Sequence, residues 1–366
     1  MKRLLSLDGG GIRGIFSVAI LERIENILRE RHAPENPNFV LADYFDFIGG
    51  NSTGAIIAAM LCKGMSVQEV RESYEQLGPI VFRRKPFWQS WRSFYGSAAF
   101  TKLLKENFSE SSGKPMTLGS SQLRTCLMLV MRNGTTGSTW PITNHPEARY
   151  NRRSPDNNDP TNLDIPLWQL IRASAAAPAF FPTELVKLHS PDSGKEQQFE
   201  FIDGAVSPYN NPAVAMYLAA TLPAYEMNFP AGVDELSICS VGTGRIPITY
   251  APGELGHINV LGGGLRALKG LMDSVLVEQD KLCRVLGKTV CGAVIDGELD
   301  ALMEGGLERF LYCRYQHQFT EEEIENCRQE TGSTHPFELS DLPSVPKLLE
   351  IGRKYAEETV KPEHLP

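Results

Sequence analysis

The chain has 366 residues, and 42% of them are hydrophobic, enough for a substantial core in one large domain or two small ones. Its net charge of -8 argues against a nucleic acid polymer as the main partner. The seven cysteines occur without CxxC pairs, a usage typical of buried thiols in a reducing compartment and not of a disulfide framework or a zinc site.

Strand and helix patterns alternate from the first residues. Short apolar runs predict strands at 4–7, 44–48, 124–132, 199–202 and 236–241, with 308–319 as a further candidate. Periodic apolar positions predict helices at 15–31, 53–62, 67–77, 167–176, 265–286 and 348–360. This alternation predicts an α/β fold with a largely parallel sheet. With no repeat and no clear linker, residues 1–366 are predicted to form a single domain.

The first strand ends in a glycine-rich turn, Asp8-Gly9-Gly10-Gly11-Ile12-Arg13-Gly14. Without side chains, successive amides can turn inward and bind an anion, either an oxyanion during acyl transfer or a phosphate. The glycines at 9, 11 and 14 also match the dinucleotide-binding pattern. The dinucleotide-binding pattern requires an acidic residue at the end of the next strand. Glu30, at about the right spacing, lies within the predicted first helix instead, which weakens this interpretation.

A second turn, Gly50-Asn51-Ser52-Thr53-Gly54, joins a predicted strand to a predicted helix. Such an elbow strains the backbone of the serine and lifts its hydroxyl clear of the sheet. Gly50 and Gly54 are needed there because side chains would collide with the flanking strand and helix. The N-terminal amides of the following helix point at the same place. The turn predicts Ser52 as a nucleophile, with an ordinary turn as the alternative.

A serine nucleophile needs a base, and the sequence offers two kinds. Asp203, in Asp203-Gly204-Ala205, follows the strand predicted at 199–202, and the carboxyl end of a parallel strand is where α/β sites form. Partial burial would raise its pKa toward neutrality; an ordinary Asp-Gly turn is the alternative. The competing bases are the seven histidines, among them His145, His189, His257, His317 and His335. No spacing of ligand residues indicates a metal site.

Together, these three motifs resemble the patatin-like phospholipase family. Its signature, Asp-Gly-Gly-Gly-x-Arg/Lys-Gly, Gly-x-Ser-x-Gly and Asp-Gly-Ala/Gly, is matched in order at 8–14, 50–54 and 203–205. The stretch 173–178, Phe181-Pro182 and Asn211-Pro212 match secondary patterns. The resemblance covers roughly residues 4–244, with 245–366 expected as a helical region packed on them. It implies a three-layer fold with helices on both faces of the sheet.

The resemblance also implies an activity, a serine lipid acyl hydrolase that releases fatty acids from membrane phospholipids. Ser52 is then the nucleophile and Asp203 the base of a dyad, which removes the need for a histidine. The residues implied at the oxyanion site are Gly9, Gly10 and Gly11, and those supporting the motifs are Arg13, Gly14, Gly50, Gly54 and Gly204. Arg13 either orients a phosphate or braces its loop. No metal or organic cofactor is implied.

A membrane contact is expected around Phe87, Trp88 and Trp91, which lie beside basic residues, as interfacial lipid binding requires. The alternative is a partly buried loop packed on the domain. No apolar run approaches the roughly 20 residues of a membrane span, and residues 4–7 are too short for a signal peptide. The protein is therefore expected in the cytoplasm, acting on the inner face of the membrane.

Length and domain content are similar to bacterial family members that act as antiviral effectors switched on by cyclic dinucleotides. A loop predicted at 144–162, with Arg149, Arg152 and Arg153, is a candidate nucleotide contact on charge alone. A homo-oligomer is left open. Two alternatives remain, a nucleotide-binding sensor that uses residues 9–14 without hydrolysis, and a storage or interaction protein. The intact Ser52 and Asp203 argue against the latter.

Overall fold

The computed structural model describes residues 1–82, 95–152, 160–189, 196–246 and 260–366. Within these ranges one sheet contains β1 (Lys2–Leu7), β2 (Phe47–Asn51), β3 (Cys126–Asn133), β4 (Thr139–Thr143), β5 (Glu184–His189), β6 (Glu196–Asp203), β7 (Leu236–Val241), β8 (Lys288–Cys291) and β9 (Leu311–Tyr315). The helices are α1 (Gly14–His32), α2 (Thr53–Cys62), α3 (Val67–Val81), α4 (Ala98–Asn107), α5 (Leu167–Ser174), α6 (Ala213–Thr221), α7 (Val260–Leu286), α8 (Glu321–Thr331) and α9 (Val345–Thr359).

The sheet is parallel over most of its width. Its order is β5-β6-β3-β2-β1-β7-β9-β8, and β4 pairs with β3 beside this path. Along the run β3-β2-β1-β7-β9-β8, each strand is parallel to the next. β4 and β6 run antiparallel to β3, and β5 runs antiparallel to β6. The predicted α/β class with a largely parallel sheet is confirmed.

The sheet separates two hydrophobic cores. In β1, Leu5 belongs to a core cluster shared with α1 to α5 and α9, whereas Leu4 belongs to a second cluster shared with α6 and the last turns of α7. Successive side chains of a strand point to opposite faces of the sheet. The two clusters therefore lie on opposite faces, which gives the predicted three layers.

β2 and β6 pair with consecutive stretches of the same edge of β3. Its pairing with β4 covers one edge between Met128 and Arg132. On the other edge, β2 pairs as far as Asn51, opposite Val130, and β6 ends with Asp203, opposite Met131. The prediction that Asp203 ends a parallel strand is wrong, because β6 is antiparallel to β3. β6 runs toward the end of β2 from the opposite direction. Asp203 therefore still lies at the carboxyl edge of the parallel strands.

Several elements differ from the sequence-based expectation. The strand expected at 44–48 begins at Phe47, because Tyr44 and Phe45 donate backbone hydrogen bonds to the Leu41 carbonyl in a tight turn. The candidate strand at 308–319 contracts to β9. The elements that were not anticipated are β4, β5, β8, α4, α6 and α8. β4 is five residues long and contains Pro141, and α6 is apolar with little amphipathic pattern, so neither shows a clear periodicity.

The part of the chain after residue 244 completes the sheet. It supplies β8 and β9 as well as the expected helices, and α9 packs along α1. The number of domains stays a prediction. Among the described helices, none has both the length and the apolar composition that crossing a bilayer requires.

Candidate active site

Ser52 lies at a sharp elbow between β2 and α2. Its backbone angles are φ 53° and ψ -119°, a strained conformation for a residue other than glycine. A Cβ on Gly50 would lie 2.1 Å from the Gly54 carbonyl oxygen, and a Cβ on Gly54 would lie 2.3 Å from the Leu7 carbonyl oxygen. A side chain at either position would therefore collide with the backbone, as predicted. The close approach of α2 to β2 and β1 is the cause.

The elbow is anchored by a buried serine from α5. The Ser174 hydroxyl accepts a hydrogen bond from the backbone N–H of Ser52 at 3.0 Å and donates one to the Val130 carbonyl at 2.6 Å. Ser174 is fully buried, so both bonds are shielded from water. The strained backbone of Ser52 is therefore held through β3 as well as by its own turn.

Asp203 is within hydrogen-bond distance of Ser52. The Ser52 hydroxyl donates to Oδ2 of Asp203 at 2.7 Å, and the Ala205 N–H donates to Oδ1 at 2.7 Å. Burial raises the pKa of Asp203 to about 6, and hydrogen bonds from Ala205, Ser52 and Asn51 oppose that rise. At neutral pH the carboxylate is mostly ionised, yet basic enough to accept a proton from a hydroxyl.

The glycine-rich turn lies directly beside Ser52. A Cβ on Gly9 would be 3.2 Å from the Ser52 Cβ. The Gly9 N–H donates to the Asn210 carbonyl at 3.2 Å, so the prediction that Gly9 is an oxyanion donor is corrected. Within the described part of the chain, the N–H groups of Gly10 and Gly11 make no hydrogen bond. These two groups remain as donors for an anion.

Side chains from distant elements brace this turn. The Thr243 hydroxyl donates to the Gly9 carbonyl at 3.2 Å, and the Tyr74 hydroxyl donates to the Gly11 carbonyl. Gly11 has φ +59°, and a Cβ there would lie 2.2 Å from the Leu339 carbonyl oxygen. The turn is thus fixed in one conformation by its neighbours, which favours a preformed anion site.

A buried ion pair holds the start of the turn. Arg314, on β9, donates from Nη1 to Oδ1 of Asp8 at 2.9 Å and from Nη2 to Oδ2 at 2.6 Å. Both side chains have no exposed surface. Burial alone lowers the pKa of Arg314, but the Asp8 carboxylate reverses this and raises it, so the guanidinium stays charged. Nη1 also donates to the Ser240 hydroxyl at 2.8 Å.

Ser52 and Asp203 open onto an apolar cavity of about 250 Å³. Its apolar lining includes Ile56, Leu77, Val81, Phe82, Phe100, Phe180, Phe181, Met272 and Leu276. The glycine turn and the elbow contribute polar groups to the same lining. A largely apolar space bordered by a hydroxyl and a carboxylate suits a ligand with a hydrocarbon chain and a reactive polar group.

Charged side chains also line the cavity, and most of them are paired. Arg245 forms a two-pronged ion pair with Asp273 at 2.9 and 2.7 Å, and Lys269 pairs with Glu338 at 2.7 Å. Arg13 makes no ion pair or side-chain hydrogen bond within the described residues, and its Nε is buried without a partner. Arg13 is therefore a cation available to a ligand.

No described histidine lines the cavity. His317 is bonded to Glu323 at 2.9 Å, His145 packs on Phe229, and His335 is exposed. The described cavity residues include no set with metal-ligand spacing. His257, the side chain of His189 and the predicted membrane contact at Phe87, Trp88 and Trp91 lie outside the described residues.

Two of the arginines expected as nucleotide contacts, Arg149 and Arg152, do not line the cavity. Arg152 pairs with Glu147 at 3.1 Å and with Glu226 at 3.4 Å. The Arg149 guanidinium lies over the Tyr150 ring at 5.8 Å, and Arg153 is outside the described residues.

Sequence reasoning missed the supporting residues. Ser174 belongs to a motif already noted at 173–178, but its hydroxyl contacts follow only from the fold. Arg314, Thr243, Tyr74 and Asn210 carry no local signal, because each acts on the glycine turn from far along the chain.

The family model for patatin-like phospholipase matches residues 5–217, more than half of the chain. The chain belongs to the patatin-like phospholipase family. Patatin-T5 from Solanum tuberosum is 30% identical to it over 254 residues, and Patatin-17 from Solanum cardiophyllum is 30% identical over 256 residues. Each match covers 67% of this chain and 61% of the relative's length. The solved structure of VipD from Legionella pneumophila aligns over 96% of this chain and 67% of that chain, with 12% identity and a TM-score of 0.35.

In this patatin-like chain, removing Arg314 should destabilise the fold strongly. Arg314→Met leaves the Asp8 carboxylate buried without its partner, which is expected to lower the free energy of unfolding by about 3–5 kcal/mol. Arg353→Met is the matched control, since its ion pair with Glu22 is on the surface and contributes under about 1 kcal/mol. Urea denaturation followed by circular dichroism measures both; equal losses would contradict the argument.

Proposed function

We propose that the protein hydrolyses acyl esters of lipids with Ser52 as nucleophile and Asp203 as base. The observation that carries this proposal is the 2.7 Å hydrogen bond from the Ser52 hydroxyl to the Asp203 carboxylate, both of which line a largely apolar cavity. Family membership supports the same chemistry. The relatives are matched over only 61% of their length, so their activity is carried over here as part of the proposal.

In the first half of the reaction, Ser52 Oγ attacks the ester carbonyl while Asp203 takes the hydroxyl proton. Negative charge develops on the carbonyl oxygen. The free N–H groups of Gly10 and Gly11 are the donors we assign to it, since they need no reorganisation as the charge forms. Asp203 then passes its proton to the departing alkoxide oxygen, and the acyl group stays on Ser52.

In the second half, water attacks the acyl-serine carbonyl. Asp203 is again the base, and the same two N–H groups hold the oxyanion. Collapse of the intermediate releases the fatty acid and returns the proton from Asp203 to Ser52. The elbow keeps Oγ in one position throughout, because its backbone is anchored by Ser174.

Arg13 points to the substrate class. The apolar walls accommodate an acyl chain, and Arg13 is the lining cation left without an ionic partner among the described residues. A guanidinium binds phosphate through two parallel hydrogen bonds. We therefore assign Arg13 to the phosphate of a glycerophospholipid, in preference to a role limited to bracing its loop.

The alternative is a nucleotide sensor that uses the glycine turn without hydrolysis. Free N–H groups at Gly10 and Gly11 suit a phosphate as well as an oxyanion. Against it stands the position of the turn, which shares its cavity with the Ser52 hydroxyl. A sensor would need neither that hydroxyl nor the basic carboxylate of Asp203 beside it.

Activation by a cyclic dinucleotide, a role in antiviral defence and action at the inner membrane face stay predictions from resemblance. In the described structure, Arg152 is engaged by Glu147 and Glu226, which leaves less positive charge for a nucleotide. Lipase assays with and without candidate cyclic dinucleotides test the activation. Full activity without any nucleotide would count against it.

The Ser52→Ala variant should release no fatty acid above the uncatalysed background. Removal of Oγ eliminates the acyl-enzyme, and losses of about 10⁴-fold or more are usual for a serine nucleophile. Phospholipid vesicles are incubated with each variant, and the free fatty acids are measured by mass spectrometry. Ser112→Ala, which alters an exposed loop serine, is the matched control and should keep wild-type activity. Undiminished release by Ser52→Ala would support the sensor alternative.

The pH profile should report the ionisation of Asp203. As the base, Asp203 must be deprotonated, and its pKa lies at about 6. We expect kcat/KM to fall about tenfold for each pH unit below 6 and to level off above it, since kcat/KM follows the free enzyme. A soluble short-chain ester avoids changes in the vesicle surface. A flat profile from pH 4.5 to 7 would exclude Asp203 as the titrating base.

The Arg13→Gln variant should discriminate between lipid classes. Loss of a charge-assisted contact to phosphate is expected to lower kcat/KM for phosphatidylcholine by about 10–100-fold. Hydrolysis of diacylglycerol, which has the same acyl chains and no phosphate, should change little. An equal decrease for both lipids would instead mean that Arg13 braces the glycine turn.

A further inference from the structure

Three cysteines lie side by side on the sheet, away from the active site. In the strand register, Cys239 of β7 is opposite Cys313 of β9, and Cys291 of β8 is opposite Cys313 on the other side. The Cys313 thiol interacts with the thiols of both neighbours. Cys239 and Cys313 are buried and Cys291 is partly buried, so the sulfur atoms form a row shielded from solvent.

A histidine completes this group from a different segment. His364 lies in the short helical turn Pro362–His364, and its ligand nitrogen and the sulfur atoms of Cys291 and Cys313 all lie within 4.8 Å of one another. A small cavity of about 10 Å³ lies beside this group, lined by Cys313, His364, Cys239 and mostly apolar residues. That volume is about the size that a single water or ion needs.

We propose that Cys291, Cys313 and His364 bind a Zn²⁺ ion, with water as the fourth ligand. Zn²⁺ binds Cys sulfur and His nitrogen in a tetrahedron, and sets of three protein ligands leave the fourth position to water. Sulfur atoms around a tetrahedral zinc are about 3.8 Å apart, since Zn–S bonds are about 2.3 Å long. The three ligand atoms lie within 4.8 Å of one another, so reaching that spacing needs movements of at most about 1 Å. Cys239 lies two strands away from Cys291 and outside this group.

The surroundings of the three ligands suit a metal. The Tyr315 hydroxyl lies 3.1 Å from Nδ1 of His364, and an outer partner of this kind fixes the ring orientation of a metal-binding histidine. Two thiolates and Zn²⁺ together carry no net charge, which suits a site shielded from solvent.

Metal binding would exchange protons for zinc. Each coordinated cysteine loses its proton to solvent as the Zn–S bond forms, and zinc undergoes no redox change. The chain offers no sequence signal for this site because its ligands come from three separate segments.

The zinc would fasten the segment 362–366 to the sheet. Arg31 already donates to the carbonyls of Pro362 and Leu365 at 3.1 and 2.7 Å, so this segment is docked by polar contacts. A metal–ligand bond from His364 to two strands adds a cross-link between the end of α9 and β8–β9. The site is structural and independent of the reaction proposed for Ser52.

The experiment is metal analysis of the full chain purified without chelator and dialysed against metal-free buffer. About one zinc per chain is expected by inductively coupled plasma mass spectrometry. Co²⁺ added to protein stripped of metal should give the near-ultraviolet charge-transfer absorption of cobalt–thiolate bonds. Background zinc together with no such absorption would overturn the proposal, as would a Cys291–Cys313 disulfide in place of the metal.

Variants locate the metal. Cys291→Ser and Cys313→Ser should lose most of the zinc, whereas Cys327→Ser, a change at a buried thiol of α8 outside the group, should keep it. Tyr315→Phe preserves the packing of the ring and should weaken zinc affinity about tenfold in competition with a chelator. Wild-type zinc content and affinity in all three group variants would place the metal elsewhere and overturn the proposal.

Discussion

A strand has only two edges for hydrogen bonding, and this constraint on β3 places the two central residues of the site. One edge is taken by β4, so β2 and β6 must share the other. They meet between Val130 and Met131, which brings Asn51 and Asp203 to consecutive rungs of the same ladder. Ser52 is the next residue after Asn51, so a hydroxyl and a carboxylate separated by 151 residues come within 2.7 Å. A change of register at this junction would part them by several ångström, because each rung is about 3.3 Å.

The glycine turn depends on the opposite half of the sheet. Arg314 reaches Asp8 from β9, across 306 residues of sequence. The Thr243 hydroxyl donates to the Gly9 carbonyl, and the Leu339 carbonyl accepts from the Ile12 N–H. These contacts come from beyond residue 217, where the family match ends. The later part of the chain therefore does more than cover the sheet. It supplies the charge and the backbone contacts that keep the anion site in one shape, and α7 adds part of the cavity wall.

The sequence predicts the local features of the fold and of the candidate site, but not the long-range ones. The α/β class, the elbow at Ser52 and the two steric glycines follow from short patterns, and they agree with the structure. The direction of β6 could not be predicted, because strand polarity depends on connections that carry no local pattern. The resemblance implies Gly9 as an oxyanion donor, and only the fold shows that the Asn210 carbonyl accepts its N–H. The row of three cysteines could not be predicted either, because strand register, and not spacing in the sequence, brings the thiols together.

The proposed dyad also lowers the stability of the folded chain. A buried Asp203 whose pKa rises to about 6 disfavours the folded state at neutral pH by about 3 kcal/mol relative to an ordinary aspartate. Because the folded pKa is the higher one, stability is lost as the pH rises from about 4 through about 6. The positive φ of Ser52 adds strain of about 1–3 kcal/mol. Selection for folding alone would therefore replace both residues. Under the mechanism proposed above, keeping the pair would mark a working enzyme, and losing it would mark a decayed copy of the same fold.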